Sequence, residues 1–250
     1  MRLRSRVGPA LLAALTATLA GVSGARAQSG NGFLFSAPKL ELGAQVGVGI
    51  ATAGSDLFDF TQEELTLGRA DFMGVSLFGD ATYLLAPRLG ITVAAGYVRS
   101  NSGSEFRDWI GEDDLPITQT TEFLRAPITA GLKVYPLGRG RQVGRYAWIP
   151  ATMVPYVGGA AGGIWYRFHQ NGDFVDSESL DIFYDDLSSS GWAPAAQAFG
   201  GLSYSLTPHW SVTGEGRYTW ASAELSDSFE GFDPIDLAGM SVTLGVSVRY

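Results

Sequence analysis

Eight stretches of the chain alternate apolar and polar positions with a period of two, the mark of strands that present two different faces. In "KLELGAQVGVGIA", from Lys39, the residues Leu40, Leu42, Ala44, Val46, Val48 and Ile50 share one face, and Glu41, Gly43, Gln45, Gly47 and Gly49 share the other. "GVSLFGDATYLLA" sets Val75, Leu77, Ala81 and Tyr83 against Ser76, Asp80 and Thr82. A Pro87-Arg88 turn leads into "LGITVAAGYVRS", with Ile91, Val93, Ala95 and Tyr97 in register. The fourth stretch, "EFLRAPITAGLKVY", alternates Leu124, Ala126, Ile128, Ala130, Leu132 and Val134 with Arg125, Pro127, Thr129, Gly131 and Lys133. In the fifth, "VPYVGGAAGGIWYRF", small residues on both sides leave the phase open. "GWAPAAQAFGGLSYS" and a Thr207-Pro208 turn follow. "WSVTGEGRYTW" then opposes Trp210, Val212, Tyr218 and Trp220 to Thr213, Glu215 and Arg217. The eighth, "GMSVTLGVSVRY", lines up Met240, Val242, Leu244, Val246, Val248 and Tyr250.

The second face decides the class. A soluble sandwich would turn its apolar faces inward and its polar faces to water. Here the apolar face is continuous and flanked by Tyr and Trp, and the polar face is narrow, glycine-rich and dotted with single charges. Strands of about ten residues with that pattern fit a transmembrane β-barrel, which must close because lipid cannot satisfy an open sheet edge. The expectation is an all-β, antiparallel up-and-down barrel of eight strands over 39–250, preceded by a short periplasmic segment, 28–38. A secreted lipocalin-like or jelly-roll domain is the soluble alternative.

The connections give an independent reading. Those after odd-numbered strands, 52–72, 100–122, 169–190 and 221–237, hold 22 of the 25 acidic residues, and their only cations are Arg69 and Arg107. The even connections are 86–88, 136–152 with Arg139, Arg141 and Arg145, and 207–209, and they hold no acid. Charge therefore segregates to opposite ends of the barrel. Outer-membrane barrels carry long extracellular loops and short periplasmic turns, so the acidic end is expected outside and both termini in the periplasm. The length of 136–152 has no account at this level.

The start of the chain names a compartment. "MRLRSRVGPALLAALTATLAGVSGARA" has Arg2, Arg4 and Arg6, an apolar stretch, then Ala25 and Ala27, the layout of a secretory signal peptide over 1–27. Its removal leaves 13 basic residues against 25 acidic ones, a net charge of −12. That balance argues against nucleic-acid partners, which need clustered positive charge. There is no cysteine, so the exported chain is expected to gain its stability from its own hydrogen-bonded framework or from its surroundings.

"VPYVGGAAGG" (154–163), "LTPHWSVTGEGRYTW" (206–220) and the terminal strand resemble the small outer-membrane barrel proteins of the OmpA/OmpX/OmpW-like eight-stranded group, over Leu40 to Tyr250. The resemblance implies a monomer without cofactor, in contact with outer-membrane lipid and lipopolysaccharide. It also implies the outer-membrane assembly machinery and periplasmic chaperones as partners. In that group the last strand carries an assembly signal, whose positions here are Thr243, Gly245, Val248 and Tyr250.

Three chemistries compete for function. Glu41, Asp80, Arg125, Lys133, Arg167, Glu215, Arg217 and Arg249 take the inward parity, with Arg167 dependent on the phase of the fifth strand. An eight-stranded interior is just wide enough for side chains to fill, so these charges are expected to pair into a plug, anchored at Glu215 beside Arg217 on one strand face, with Arg125 and Arg249 as candidate partners from other strands. The alternative is a narrow channel for small solutes or ions. The acidic stretches "GEDDLP" (111–116) and "YDDLSSS" (184–190) carry carboxylates suited to divalent cations, but they lack calcium-loop spacing and read as solvated loops. Loop aromatics Phe106, Trp109, Phe174, Phe183 and Phe229 suggest loops folded over the mouth or a contact surface. A rim hydrolase would have to use His169 near Asp185 and Asp186, and no second group is fixed beside it. The expected role is structural or surface-binding, without catalytic or metal residues.

Overall fold

In the computed structural model, residues 32–111, 114–175 and 181–250 are described. The expected signal peptide, 1–27, residues 28–31 of the expected periplasmic segment, Glu112 and Asp113 of the acidic stretch, and 176–180 of the third long connection lie outside them. Eight antiparallel strands form a closed ring: β1 (Leu40–Ala51), β2 (Met73–Ala86), β3 (Leu89–Ile110), β4 (Pro116–Val134), β5 (Met153–Val175), β6 (Ile182–Ser205), β7 (Trp210–Ala223) and β8 (Gly239–Arg249). Each pairs with the next in sequence, and β8 pairs back onto β1 from Glu41↔Arg249 to Ala51↔Gly239. Closure leaves no unpaired edge through the body of the barrel, which is the condition lipid imposes.

The alternation places apolar side chains outside. Val46, Val75, Leu77, Val93, Ile128, Val157, Val242 and Leu244 are all exposed on the outer wall. Tyr83, Tyr204, Trp210 and Tyr250 ring the end that holds both described chain ends, here the near end. Trp192 and Trp220 ring the far end, and all six are exposed. At ~3.4 Å per residue and a tilt near 40°, the stretch of β7 from Trp210 to Trp220 covers roughly 25 Å along the barrel axis, the height of an apolar membrane band. No helix among the described residues is long and apolar enough to cross a membrane.

Strand length departs from expectation. β3, β4, β5 and β6 run for 22, 19, 23 and 24 residues, against 11 to 14 for the other four. Much of 100–122 and 169–190, expected as loops, is therefore sheet rising above the barrel. Ladder pairing continues to Glu105↔Thr118 and to Val175↔Ile182. Above the band both faces of these strands meet water or other loops, so polar Ser, Thr and Gln occupy both and the hydrophobic alternation fades while the hydrogen bonding does not. The edges of this raised sheet are covered. Thr66 N–H donates to Glu105 O (2.8 Å) along β3, and Ser226 donates through N–H to Ser189 Oγ (3.0 Å) and through its hydroxyl to Ser188 O (3.0 Å) along β6.

The first far-end connection folds into the mouth. It contains helix α1 (Asp56–Glu64) and a 3-10 turn, Arg69–Phe72. Asp56 and Asp59 lie in the first turn of α1, where the helix dipole favours negative charge. Its buried face, Leu57, Phe58 and Thr61, packs into a cluster with Phe72, Phe123, Phe168, Phe229, Ile235 and Leu237. Phe58 is fully buried and makes edge-on contacts with Phe72, Phe123 and Phe168 at centroid distances of 4.9, 5.3 and 5.7 Å. At the near end, 136–152 forms a small hairpin, Gly140–Val143 with Ala147–Pro150. Its buried Trp148 exchanges backbone hydrogen bonds with Leu34 (2.8 and 2.6 Å). The long near-end segment is thus a cover tied to the chain preceding β1.

Candidate functional site

The barrel interior is the first candidate, and glycines shape it. A Cβ on Gly96 would overlap the Phe78 ring, and one on Gly158 would overlap Phe199. The missing side chains make room for two large rings from neighbouring strands. Between those rings lies the Arg217 guanidinium, 4.6 Å from the Phe78 centroid and 4.8 Å from that of Phe199. Arg217 donates to Glu215 Oε1 through Nη2 (2.6 Å) and Nε (3.2 Å), and to Gln197 Oε1 through Nη1 (2.7 Å). The other Glu215 oxygen accepts from the Tyr156 hydroxyl at 2.8 Å. Gln197 is held in turn by Thr129 and Thr219, both at 3.1 Å. The Glu215–Arg217 pair lies along β7, and the other hydrogen bonds of this middle tier cross between strands. The tier is therefore a set of buried crosslinks around one ion pair.

A second tier sits toward the near end and has a different centre. Glu41 is approached by Arg139 Nη2 (3.4 Å), Arg249 Nε (3.7 Å) and Lys133 Nζ (3.9 Å). Lys133 also lies 3.8 Å from Asp80 Oδ2 and 4.1 Å above the Tyr156 ring, which joins the two tiers. Gln45 donates to Asp80 (3.3 Å) and accepts from Thr243 (2.6 Å). Two carboxylates thus face three cations, all buried on the inner wall or under the near-end cover. Tyr135 stacks beneath Arg139, and burial pushes its phenol pKa up, so it stays a neutral hydroxyl.

Of the eight residues expected inside, Glu41, Asp80, Lys133, Glu215, Arg217 and Arg249 belong to these tiers. Arg125 is inward and buried but apart from them. Its Nη1 donates to Leu237 O (3.2 Å) and Ala238 O (2.9 Å), so it clamps the segment that enters β8. Neither Arg125 nor Arg249 partners Glu215, and the network has two centres where a single anchor at Glu215 is expected. Arg167 is a correction. On β5 the buried inner residues are Val154, Tyr156, Ile164, Tyr166, Phe168 and Gln170, so odd-numbered Arg167 faces out and is exposed. The run of Gly and Ala at 158–163 carries no facial contrast, which is why the phase cannot be read there. The tiers also use Arg139, Gln45, Tyr156 and Gln197, which the expected set lacks. Gln45 has the inward parity and could have been included, whereas Arg139 lies in a turn segment with no periodicity to mark it.

The four expected assembly-signal positions split between faces. Thr243 is inward and buried, and Gly245 is inward against the Ala44–Gln45 backbone. Val248 and Tyr250 face out. Tyr250 N–H donates to Leu40 O (2.8 Å) and its carbonyl accepts from Lys39 and Leu40 N–H (2.8 and 3.1 Å), so the last residue closes the ring.

Outside the lumen, His169 Nε2 meets Asp186 Oδ1 at 2.5 Å on the outer face, with Asp186 mostly exposed. Among the described residues, no three His, Asp or Glu side chains converge as a metal site. Of the loop aromatics, Phe229 enters the mouth cluster and Phe106 packs against it. Phe174 and Phe183 stack across the β5–β6 hairpin, 6.1 Å apart.

An antiparallel ring of eight strands, apolar outside and polar inside, bounded by aromatic residues at both ends, leaves one architecture. The fold is that of a small outer-membrane β-barrel. Among solved structures the chain is similar to Neisserial surface protein A, at 14% identity over 86% of this chain and 99% of that one, with a TM-score of 0.46. It is similar to OprG from Pseudomonas aeruginosa at 17% identity over 86% and 97%, TM-score 0.44. A major outer membrane protein from Thermus thermophilus shows 12% identity over 84% and 99%, also at 0.44. No protein-family model and no curated protein matches the sequence.

Proposed function

We propose that the protein is a closed outer-membrane barrel with a structural or surface-binding role, its acidic far end outside the cell and its termini in the periplasm. The observation that carries this reading is the filling of the barrel at three levels. The near-end cover brings Arg139 onto Glu41, the middle tier clamps Arg217 between two rings, and the aromatic cluster around Phe58 occupies the mouth. Burying charges is costly unless they are paired, so this pairing favours a rigid, filled lumen over an open one. The acids at the far end repel one another and keep that surface solvated. Contact with lipopolysaccharide and passage through the assembly machinery belong to the same reading, the latter supported by the lock of Tyr250 onto β1.

The absence of cysteine permits a clean topology test. Leu115, between β3 and β4, and Tyr146, at the near-end hairpin, are both well exposed. Leu115→Cys should react with a membrane-impermeant maleimide on intact cells, and Tyr146→Cys only after the outer membrane is opened. The reverse pattern would invert the orientation, and recovery of the protein in a soluble fraction would remove the membrane assignment.

A further inference from the structure

A cavity of about 280 Å³ opens at the far end between α1 and the inner face of the raised β3–β6 sheet. Its walls are four aromatic side chains, Phe60 from α1, Phe106 and Trp109 from β3, and Phe174 from β5. Gln119 and Gln170, both buried, line it with their amides anchored, Gln119 to Asp173 O (2.9 Å) and Gln170 to Thr121 Oγ1 (3.4 Å). One charged residue, Glu64 of α1, is on the lining, and no Lys or Arg among the described residues joins it. Arg107, the nearest cation in sequence, is turned to the backbone carbonyls of Gln62 (3.3 Å) and Leu67 (3.4 Å).

Aromatic faces present negative potential, and a cation within about 6 Å of a ring centroid is attracted to it. A carboxylate on the same lining, within an end that holds most of the chain's acids, adds to that attraction and disfavours anions. A neutral apolar molecule would gain from the rings alone; a cation with an apolar body gains from rings and carboxylate together. We propose that this cavity binds small organic cations carrying an apolar or aromatic body, such as substituted ammonium compounds. The position gives the site a function in the surface-binding reading above, on which it rests only for the side of the membrane from which the ligand arrives. The walls come from three elements that meet only when α1 is seated in the mouth, so occupancy would also hold α1 in place.

The test is calorimetric titration of the full barrel, folded in nanodiscs, with benzyltrimethylammonium, benzyl alcohol and phenylacetate as cationic, neutral and anionic probes. Benzyltrimethylammonium should bind at least about tenfold more tightly than benzyl alcohol, and phenylacetate should not bind. Glu64→Gln should weaken the cation about tenfold while leaving benzyl alcohol unchanged, and Trp109→Ala should weaken both. Heat-modifiable migration in gels confirms that each variant is folded, and Trp109→Leu replaces Trp109→Ala if the latter is not. Equal binding of cation and alcohol, an unaffected Glu64→Gln, or no binding by a folded barrel would each overturn the assignment. Steady conductance through the wild-type protein would end the closed-barrel reading and leave the titration result standing.

Discussion

Removing the Glu215 carboxylate isolates one buried charge and tests whether the lumen is stabilised by pairing. Glu215 and Arg217 side chains are 2% and 4% exposed, so water does little to screen the cation left behind. In Glu215→Ala the guanidinium loses both hydrogen bonds to Oε1 and keeps Gln197 Oε1 at 2.7 Å and the rings of Phe78 and Phe199. Ring contacts of this kind contribute about 0.5–2 kcal/mol, less than an uncompensated buried charge costs. The Tyr156 hydroxyl also loses its acceptor. The expected destabilisation is about 3–5 kcal/mol. Replacing both partners by apolar residues, Glu215→Leu with Arg217→Met, removes the uncompensated charge altogether. The double variant should therefore lose much less than the sum of the two single variants, with a coupling of at least about 1 kcal/mol. Equilibrium urea titration in lipid vesicles, with tryptophan fluorescence as the signal, measures wild type and variants under one condition. A loss below about 1 kcal/mol for Glu215→Ala, or strict additivity in the cycle, would refute the argument that pairing holds this tier.

The wall itself makes a second prediction. Ile128→Arg places a charge on an exposed, lipid-facing position of β4 and should cost about 2–4 kcal/mol in the same titration; no loss there would show the register off by one. Deleting Tyr250 removes the backbone pairing to Lys39 and Leu40 and should slow assembly, seen in pulse-chase as periplasmic intermediates and degraded chain. Assembly at the wild-type rate would remove both the signal and the closure argument. Arg139→Ala frees the near-end cover from Glu41 and from Pro38 O (3.2 Å), so protease added to the exposed near end should cut 140–150 faster than in the wild type. Unchanged cutting would mean that the cover is held without Arg139, by ties such as the Leu34–Trp148 bridge and the Ser205 bonds to Ala151 and Thr152.

What the sequence reveals depends on how strongly two faces differ. In β1, β2, β4, β7 and β8, lipid outside and charge inside force sharp alternation, and Leu40 to Ile50 or Met240 to Tyr250 fall on the faces that their parity predicts. In β5 the close approach of neighbouring strands and large inward rings demands Gly and Ala, which erases the contrast and turns Arg167 the wrong way. Above the membrane, β3 to β6 keep their ladders with polar residues on both faces, so hydrogen bonding persists where no hydrophobic signal marks it. α1 is nine residues, too short for a periodic stripe, and its place is set by Phe58 meeting rings from β4 and β5. On the sharply alternating strands the inward charges are legible one by one, from Glu41 and Asp80 to Arg217 and Arg249. Their partition is not, because Arg139 comes from an irregular segment and Arg125 is claimed by carbonyls far away in sequence.

Current through the wild-type barrel bears most directly on the closed lumen. Purified protein inserted in planar bilayers, with insertion confirmed by heat-modifiable migration of the recovered sample, should show no steady conductance, and Glu215→Ala should add at most transient openings. Steady, ion-selective current in the wild type, with Glu215→Ala altering only the selectivity, would contradict the plug and establish a channel.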